Sequence, residues 1–230
     1  MSINTEQIKD LAATLEGESP QAILRYAHQT YRDQLAIVTS FQITGIVTLH
    51  MLREMTDAPL QVLTLDTGVL FAETYQLMER VAARFDVSIQ RLQPEPEDIA
   101  AHDEALWLTD ADQCCYIRKT KPLAHGLAPY SAWVTGLRRD QSPSRATTPV
   151  IGWDGRYNMV KFCPFAGWTQ DMLWTYIRAH DLPYNALHDA GYPSIGCVPC
   201  TRPAADDDLR SGRWAGTAKT ECGIHDNGDS

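Results

Sequence analysis

The sequence predicts an α/β fold: a single domain on a parallel twisted sheet with helices on both faces, followed by an irregular C-terminal lid and mobile tail. Three observations carry this expectation. Short apolar runs alternate with amphipathic stretches of helix length, the signature of βαβ units. The polar and glycine breaks at Ser40, Leu65-Asp66 and Gly136-Leu137 fall at the C-terminal ends of the predicted strands, where such sheets hold ligands. From Asp181 onward the chain turns rich in Pro, Gly, Asp and Arg and shows no convincing element.

Taken in order, residues 5–16 and 20–32 have helical spacing, with Ser19 as N-cap and Pro20 at the first helical position. LAIVTS (35–40) reads as a buried strand, SFQITG (40–45) as a loop and IVTLHMLREM (46–55) as a helix. LQVLTLD (60–66) is a second strand, closed by the turn Thr67-Gly68. FAETYQLMERVAARF (71–85) is an amphipathic helix with Leu77, Val81 and Phe85 on one face. VSIQRL (87–92) and SAWVTGL (131–137) are the third and fourth strands. TPVIGWDGRYNMVKF (148–162) reads as a hairpin about Asp154-Gly155, and WTQDMLWTYIRAH (168–180) as a helix capped by Thr169. The chain divides into N-terminal helices (1–34), an α/β unit (35–202) and a lid with tail (203–230), without internal repeats.

Composition narrows the function classes. The 230 residues are 44% hydrophobic and 21% charged, which suits a soluble globular protein. No run approaches the ~18 apolar residues of a membrane span. The polar, acidic start MSINTEQIKDLAATLEGES is neither a secretory signal nor a transit peptide, so a cytoplasmic location is expected. A net charge of −9 argues against a broad nucleic-acid surface. The basic residues nevertheless cluster: Arg118, Lys119 and Lys121; Arg138, Arg139 and Arg145; Arg210 and Arg213. Solvated surface charge is the ordinary reading of any one of them. Clusters in an acidic chain, several beside cysteines, favour a small, highly charged anion.

Six cysteines in a chain of this length do not suggest a disulfide framework. Cys114 and Cys115 are adjacent, and Cys197 and Cys200 form a C-x-x-C. The vicinal pair crowds a tetrahedral zinc, whereas an iron–sulfur cubane offers each thiolate its own iron corner. Cluster, zinc site and redox or inert cysteines all remain open on spacing alone. Cys163, in KFCPFAGWT, has apolar neighbours and reads as packing. Cys222, in the polar tail KTECGIH (219–225), is not explained by burial. Lys219, His225, Arg210 and Arg213 are neighbours of the kind that favour a reactive thiolate.

These motifs together resemble one family. CCYIRKTKPL (114–123), WVTGLRRDQS (133–142), LDTGVLFAETY (65–75), WTQDMLWTYIRAHDLPYNALHDAGYPS (168–194), YPSIGCVPCTRP (192–203) and KTECGIH are similar to the assimilatory adenylylsulfate reductases of the sulfonucleotide reductase family. The likeness runs from about Leu35 to His225. It implies the adenine-nucleotide α-hydrolase type of fold and a [4Fe-4S] cluster on Cys114, Cys115, Cys197 and Cys200. The cluster-bearing branch mostly reduces adenosine 5′-phosphosulfate, and relatives lacking the four cysteines use the 3′-phosphorylated nucleotide. Ser40, Leu65 and Gly136 would contact the nucleotide, with Arg145 nearby. Lys119, Arg210, Arg213 and His225 would surround the sulfate. Cys222 would attack it, and thioredoxin would be the reductant. No nucleic-acid or membrane partner is expected, and a homo-oligomer is allowed.

Two departures stand out. The family's first loop usually reads Ser-Phe-Ser-Gly-Ala-Glu-Asp, and this chain has Ser40-Phe41-Gln42-Ile43-Thr44-Gly45-Ile46. Relatives commonly carry Asn at the position of Cys163. Two rival classes share part of the pattern. An RNA-modifying ATP pyrophosphatase would need a glycine- and serine-rich loop and a basic surface. A non-enzymatic iron–sulfur sensor would leave Cys222, His225 and the tail arginines without a task.

Overall fold

The computed structural model describes residues 5–103, 105–204, 208–215, 217 and 219–225. Helices α1 (Thr5–Leu15) and α2 (Pro20–Tyr31) lead in, and the Ser19 hydroxyl caps α2 by accepting from the Ala22 amide at 3.2 Å. Alternation then builds the sheet: β1 (Leu35–Val38), α3 (Ile43–Arg53), β2 (Gln61–Leu65), α4 (Ala72–Phe85) and β3 (Ile89–Leu92). A chain of short helices follows: α5 (Pro96–Ala100), α6 (Leu106–Thr109), α7 (Ala111–Cys115), a π-helical turn (Tyr116–Thr120) and α8 (Lys121–Leu127). The strands β4 (Ala132–Val134), β5 (Ile151–Asp154) and β6 (Met159–Phe162) and the helix α9 (Gln170–Ala179) follow.

The six strands lie in the order β3-β2-β1-β4-β6-β5, all parallel except the edge strand β5. Side chains alternate across a strand, so each strand feeds two cores. Leu35 and Ile37 join Val62, Val134 and Phe162 in the larger core, under α2, α3, α4 and α9. Ala36 faces the other way with Leu63, Trp133 and Met159, beneath Leu123 and Leu127 of α8. The chain leaves central β1 toward β2 on one side and later returns to β4 on the other. A crevice opens where these connections part company, at the C-terminal strand ends.

Several boundaries differ from the sequence reading. Helix α3 begins at Ile43 rather than Ile46, because Gln42 takes the extended backbone of an N-cap. The hairpin turn spans four residues between β5 and β6, since the Asp154 carboxylate accepts from the amides of Arg156 and Tyr157 and holds the turn wide. Among the described residues beyond 181, two short 3₁₀ turns occur, Ala186–His188 and Val198–Cys200. The segment is pinned instead by bridges from Leu70 to Cys197 and from Thr201 to Arg213.

Candidate active site

The cleft at the strand ends gathers the expected nucleotide contacts. Ser40 and Gln42 after β1, Leu65 at the end of β2 and Gly136 after β4 all line it. The loop after β1 is tightly built. Phe41 takes a left-handed backbone (φ 56°) with its ring buried, and its amide donates to the Thr39 hydroxyl at 3.0 Å. Gly45 lets α3 pass over that hydroxyl, because a Cβ there would lie 2.0 Å from Thr39 Oγ1. No side chain caps α3, so its first-turn amides remain available to a ligand in the cleft. The Gln42 side chain accepts from the Ile195 amide at 3.0 Å, tying this loop to the cysteine-bearing segment.

The basic residues sort into two groups that sequence alone did not separate. Arg118 donates to the Thr67 carbonyl, Lys121 pairs with Asp98, and Arg139 forms a two-pronged pair with Glu16. Arg138 lines the cleft, but its guanidinium is spent on Asp140 and the Thr44 hydroxyl. Lys119, Arg145, Arg210 and Arg213 face the cleft. Trp214, which the motif reading overlooked, sits among them. The Arg213 guanidinium lies 4.5 Å from its ring centre, Arg210 5.7 Å, and Lys119 and Lys219 5.9 Å each. The indole Nε1 of Trp214 and Nε of Arg213 are buried donors with no partner among the described residues. A cleft with unspent buried donors suits an anion. Burial first, then the Arg145 guanidinium, pushes Arg210 down to about 10, which still leaves it charged at neutral pH. Burial works to lower Lys119, but Cys197, Cys222 and Cys115 outweigh it and hold the ammonium above its ordinary value.

The cysteines come together from distant parts of the chain. Cys114 and Cys115 end α7, and Cys197 and Cys200 flank a turn beside the Leu70 bridge. Three of these four are buried, and Cys200 is partly exposed. Burial first, then the neighbouring thiols, pushes Cys114 and Cys200 up; for Cys115, burial outweighs Lys119. Cys114 has Cys115 and Cys197 as charge neighbours, and Cys200 has Cys197 and Cys114. The Thr67 hydroxyl lies 3.3 Å from Cys197 Sγ. Among the described residues no three His, Cys, Asp or Glu side chains close on one metal-ion position. Four soft sulfur donors gathered without a disulfide fit a polynuclear iron–sulfur group. Cys163 lies in the larger core, and burial raises its thiol to about 11, in keeping with packing.

The tail reaches this cleft. Cys222 lines it within electrostatic reach of Lys119, Cys115 and Arg210. Gly223 supplies a backbone turn (φ 82°) that other residues adopt at a cost. Ile224 packs against the smaller core, and its carbonyl accepts from the Tyr157 hydroxyl at 3.3 Å. His225 also lines the cleft, but stacks on Trp133 with centroids 5.7 Å apart. Burial, then Lys161, Arg145 and Arg210, holds its imidazole well below its usual range. His225 therefore offers a neutral ring to the cleft. Glu221, also overlooked, binds Arg145 and Arg210 together.

Strand-end loops that can receive a nucleotide, a cationic wall and a thiol in one cleft define an α/β protein built for chemistry on a nucleotide-linked anion. The comparisons give that class its family. The chain belongs to the phosphoadenosine phosphosulfate reductase domain family, which it matches over residues 34–203. It is 44% identical over 227 residues to an adenosine 5′-phosphosulfate reductase of Salinibacter ruber, covering 96% of this chain and 90% of the relative. It is 45% identical over 232 residues to a phosphoadenosine 5′-phosphosulfate reductase of Gloeobacter violaceus, covering 98% of this chain and 96% of that one. A crystal structure of phosphoadenylyl-sulfate reductase from Candida auris, a phosphate complex, superposes with a TM-score of 0.76 at 31% identity, over 88% of this chain and 99% of that one. An FMN adenylyltransferase of Candida glabrata shares the fold alone, with a TM-score of 0.61 at 14% identity over 96% and 79%.

Proposed function

We propose that the chain reduces adenosine 5′-phosphosulfate to sulfite and AMP in sulfate assimilation, with Cys222 as nucleophile and thioredoxin as electron donor. One observation carries the reading: Cys222 shares a single cleft with the nucleotide-facing strand ends and with Lys119, Arg210 and Arg213.

In this reading Ser40, Leu65, Gly136 and the first amides of α3 hold the nucleotide. Lys119 and Arg213 take the sulfate, and the indole of Trp214 braces both cations. The Cys222 thiolate attacks the sulfate sulfur, the bond to the AMP phosphate oxygen breaks, and AMP leaves. Lys119 and the arginines offset negative charge as three anionic groups crowd together. The product on the enzyme is S-sulfocysteine. A thioredoxin thiolate then attacks Cys222 Sγ, sulfite departs with the electron pair of the broken S–S bond, and the second thioredoxin thiol frees Cys222. Thioredoxin ends as a disulfide, so its dithiol supplies both electrons.

Cys114, Cys115, Cys197 and Cys200 would hold a [4Fe-4S] cluster. When bound, the cluster supplies a fixed, charged centre beside Lys119, structural and electrostatic in role. Six unpaired cysteines accord with a reducing, cytoplasmic setting. No helix among the described residues is long and apolar enough to cross a membrane. The preference for adenosine 5′-phosphosulfate over its 3′-phosphorylated form rests on the four-cysteine pattern and on relatives such as that of Salinibacter ruber.

The test is chemical. Wild type given substrate without thioredoxin gains the mass of one sulfonate on the peptide holding Cys222. Cys222→Ser binds the nucleotide, keeps the brown colour of the anaerobic protein and makes no sulfite. Sulfite from the serine variant with thioredoxin would overturn the mechanism. A colourless protein with stoichiometric zinc would overturn the cluster alone.

A further inference from the structure

The anion expected near Arg145 and Arg210 is already supplied by the chain itself. Glu221 grips Arg145 with both oxygens, accepting from Nε at 2.9 Å and from Nη2 at 2.6 Å. Its Oε2 also accepts from Arg210 Nη2 at 3.1 Å, and that same nitrogen donates to the Thr220 carbonyl at 2.8 Å. The remaining Arg145 nitrogen, Nη1, donates to Gln141 Oε1 at 2.5 Å. Every nitrogen of Arg145 therefore has a partner inside the protein. The Arg145, Arg210 and Glu221 side chains are only 12%, 14% and 21% exposed, which separates this trio from ordinary surface pairs. Cys222 follows Glu221 directly. The cleft remains open beside the docked tail, still lined by Ser40, Leu65, Gly136, Lys119 and Arg213.

We infer that Glu221 is a positioning residue, and that Arg145 belongs to its anchor rather than to the nucleotide site. The two-pronged pair holds residue 221 against the segment Pro143–Arg145, which fixes where the next residue places its sulfur. Lys119 and Arg213 are left for the substrate's sulfate, and Arg210 serves both sides through its other nitrogens. The chemical part of this inference rests on Cys222 being the nucleophile. The docking part does not.

The experiment separates the two. Trypsin cuts after Lys219 and releases the peptide that holds Cys222, so its rate in substrate-free protein reports tail docking. Glu221→Gln and Arg145→Ala are each expected to speed that cut by roughly tenfold or more, the scale of a broken, partly buried ion pair. Both should slow S-sulfonation of Cys222 by about tenfold or more, with AMP affinity held within about twofold. In the double variant Glu221→Gln/Arg145→Ala, losses should match those of either single change, because the two groups act through each other. An unchanged trypsin rate would overturn the anchor. So would weakened AMP binding in Arg145→Ala alone, or losses that multiply in the double variant. Sulfite formation by Cys222→Ser would sink the nucleophile assignment while leaving the trypsin result intact.

Discussion

The sheet and the C-terminal segment meet at one cleft but are held by different forces. Strands β1, β2 and β4 are locked by ladder hydrogen bonds and by apolar side chains on both faces. They offer the ligand backbone edges and small residues, groups whose position scarcely varies. The described residues between 181 and 225 have little regular structure and are pinned by polar contacts to the rest. Asn185 donates to Thr74, the Ile195 amide to Gln42, and Arg80 to the Tyr184 carbonyl, while Trp214 gathers cations and Glu221 gathers arginines. In the proposed reading the rigid part recognises, and the polar part reacts. If the Cys222 thiol is the nucleophile proposed above, meeting both a nucleotide and a second protein suits the part whose contacts break one at a time.

The largest expected effect tests that division from the reacting side. Lys119→Ala and Arg213→Ala should each slow sulfite formation about 10²–10³-fold, the scale of a lost donor at a developing charge. Adenosine binding should hold steady, and an equal loss there would erase the distinction between the two regions. Next comes the rigid side. Gly45→Ala drives a methyl into Thr39 Oγ1 and should cost about 1–3 kcal/mol of global stability, read as a lower unfolding temperature. Trypsin cutting after Lys219 should stay near the wild-type rate if the regions are as separate as their contacts suggest. Smaller again is Cys163→Ser, which buries a hydroxyl in the larger core. Its cost of ~1–2 kcal/mol should appear in unfolding, with sulfite formation per folded molecule unchanged.

The smallest effect is in pH. Docked His225 binds its proton less readily than its ordinary 6.5, from burial first and then from Lys161, Arg145 and Arg210. An undocked tail regains the ordinary value. Docking is thus complete above about 6.5 and weakens as the pH falls below it, at most ~tenfold per pH unit. Hydrogen exchange in residues 219–225, corrected for the intrinsic rate, should rise between neutral and mildly acidic pH. A flat profile would show that His225 does not leave Trp133 when the tail opens.

Much of the sheet was legible because its strands are short apolar runs between amphipathic helices, and Leu77, Val81 and Phe85 point inward as their spacing implies. The stretch 93–130 gave no element, since helices of four to seven residues complete too few turns to show a period. The cysteines could be recognised as a set but not as a place, because a π-helical turn follows one pair and an isolated 3₁₀ turn carries the other. Charge was the least legible. Arg139 and Arg145 look alike in the sequence, and only the fold brings Glu16 to the first and Glu221 to the second. Trp214 escaped notice for a similar reason. An indole has meaning here only through the cations that surround it.

Ile224 closes part of the smaller core with the second residue after the thiol. Full burial of such a side chain is worth about 1.5–3 kcal/mol, and Ile224 is only partly covered, so its share is smaller. If the cysteine has to leave the cleft to be reduced, every catalytic cycle lifts this lid off Trp133 and its neighbours. Heat tolerance and throughput then share one variable. Lineages adapted to warmth could keep the core shut with a bulkier or better-seated residue at 224, and would do so by slowing the handover to the reductant.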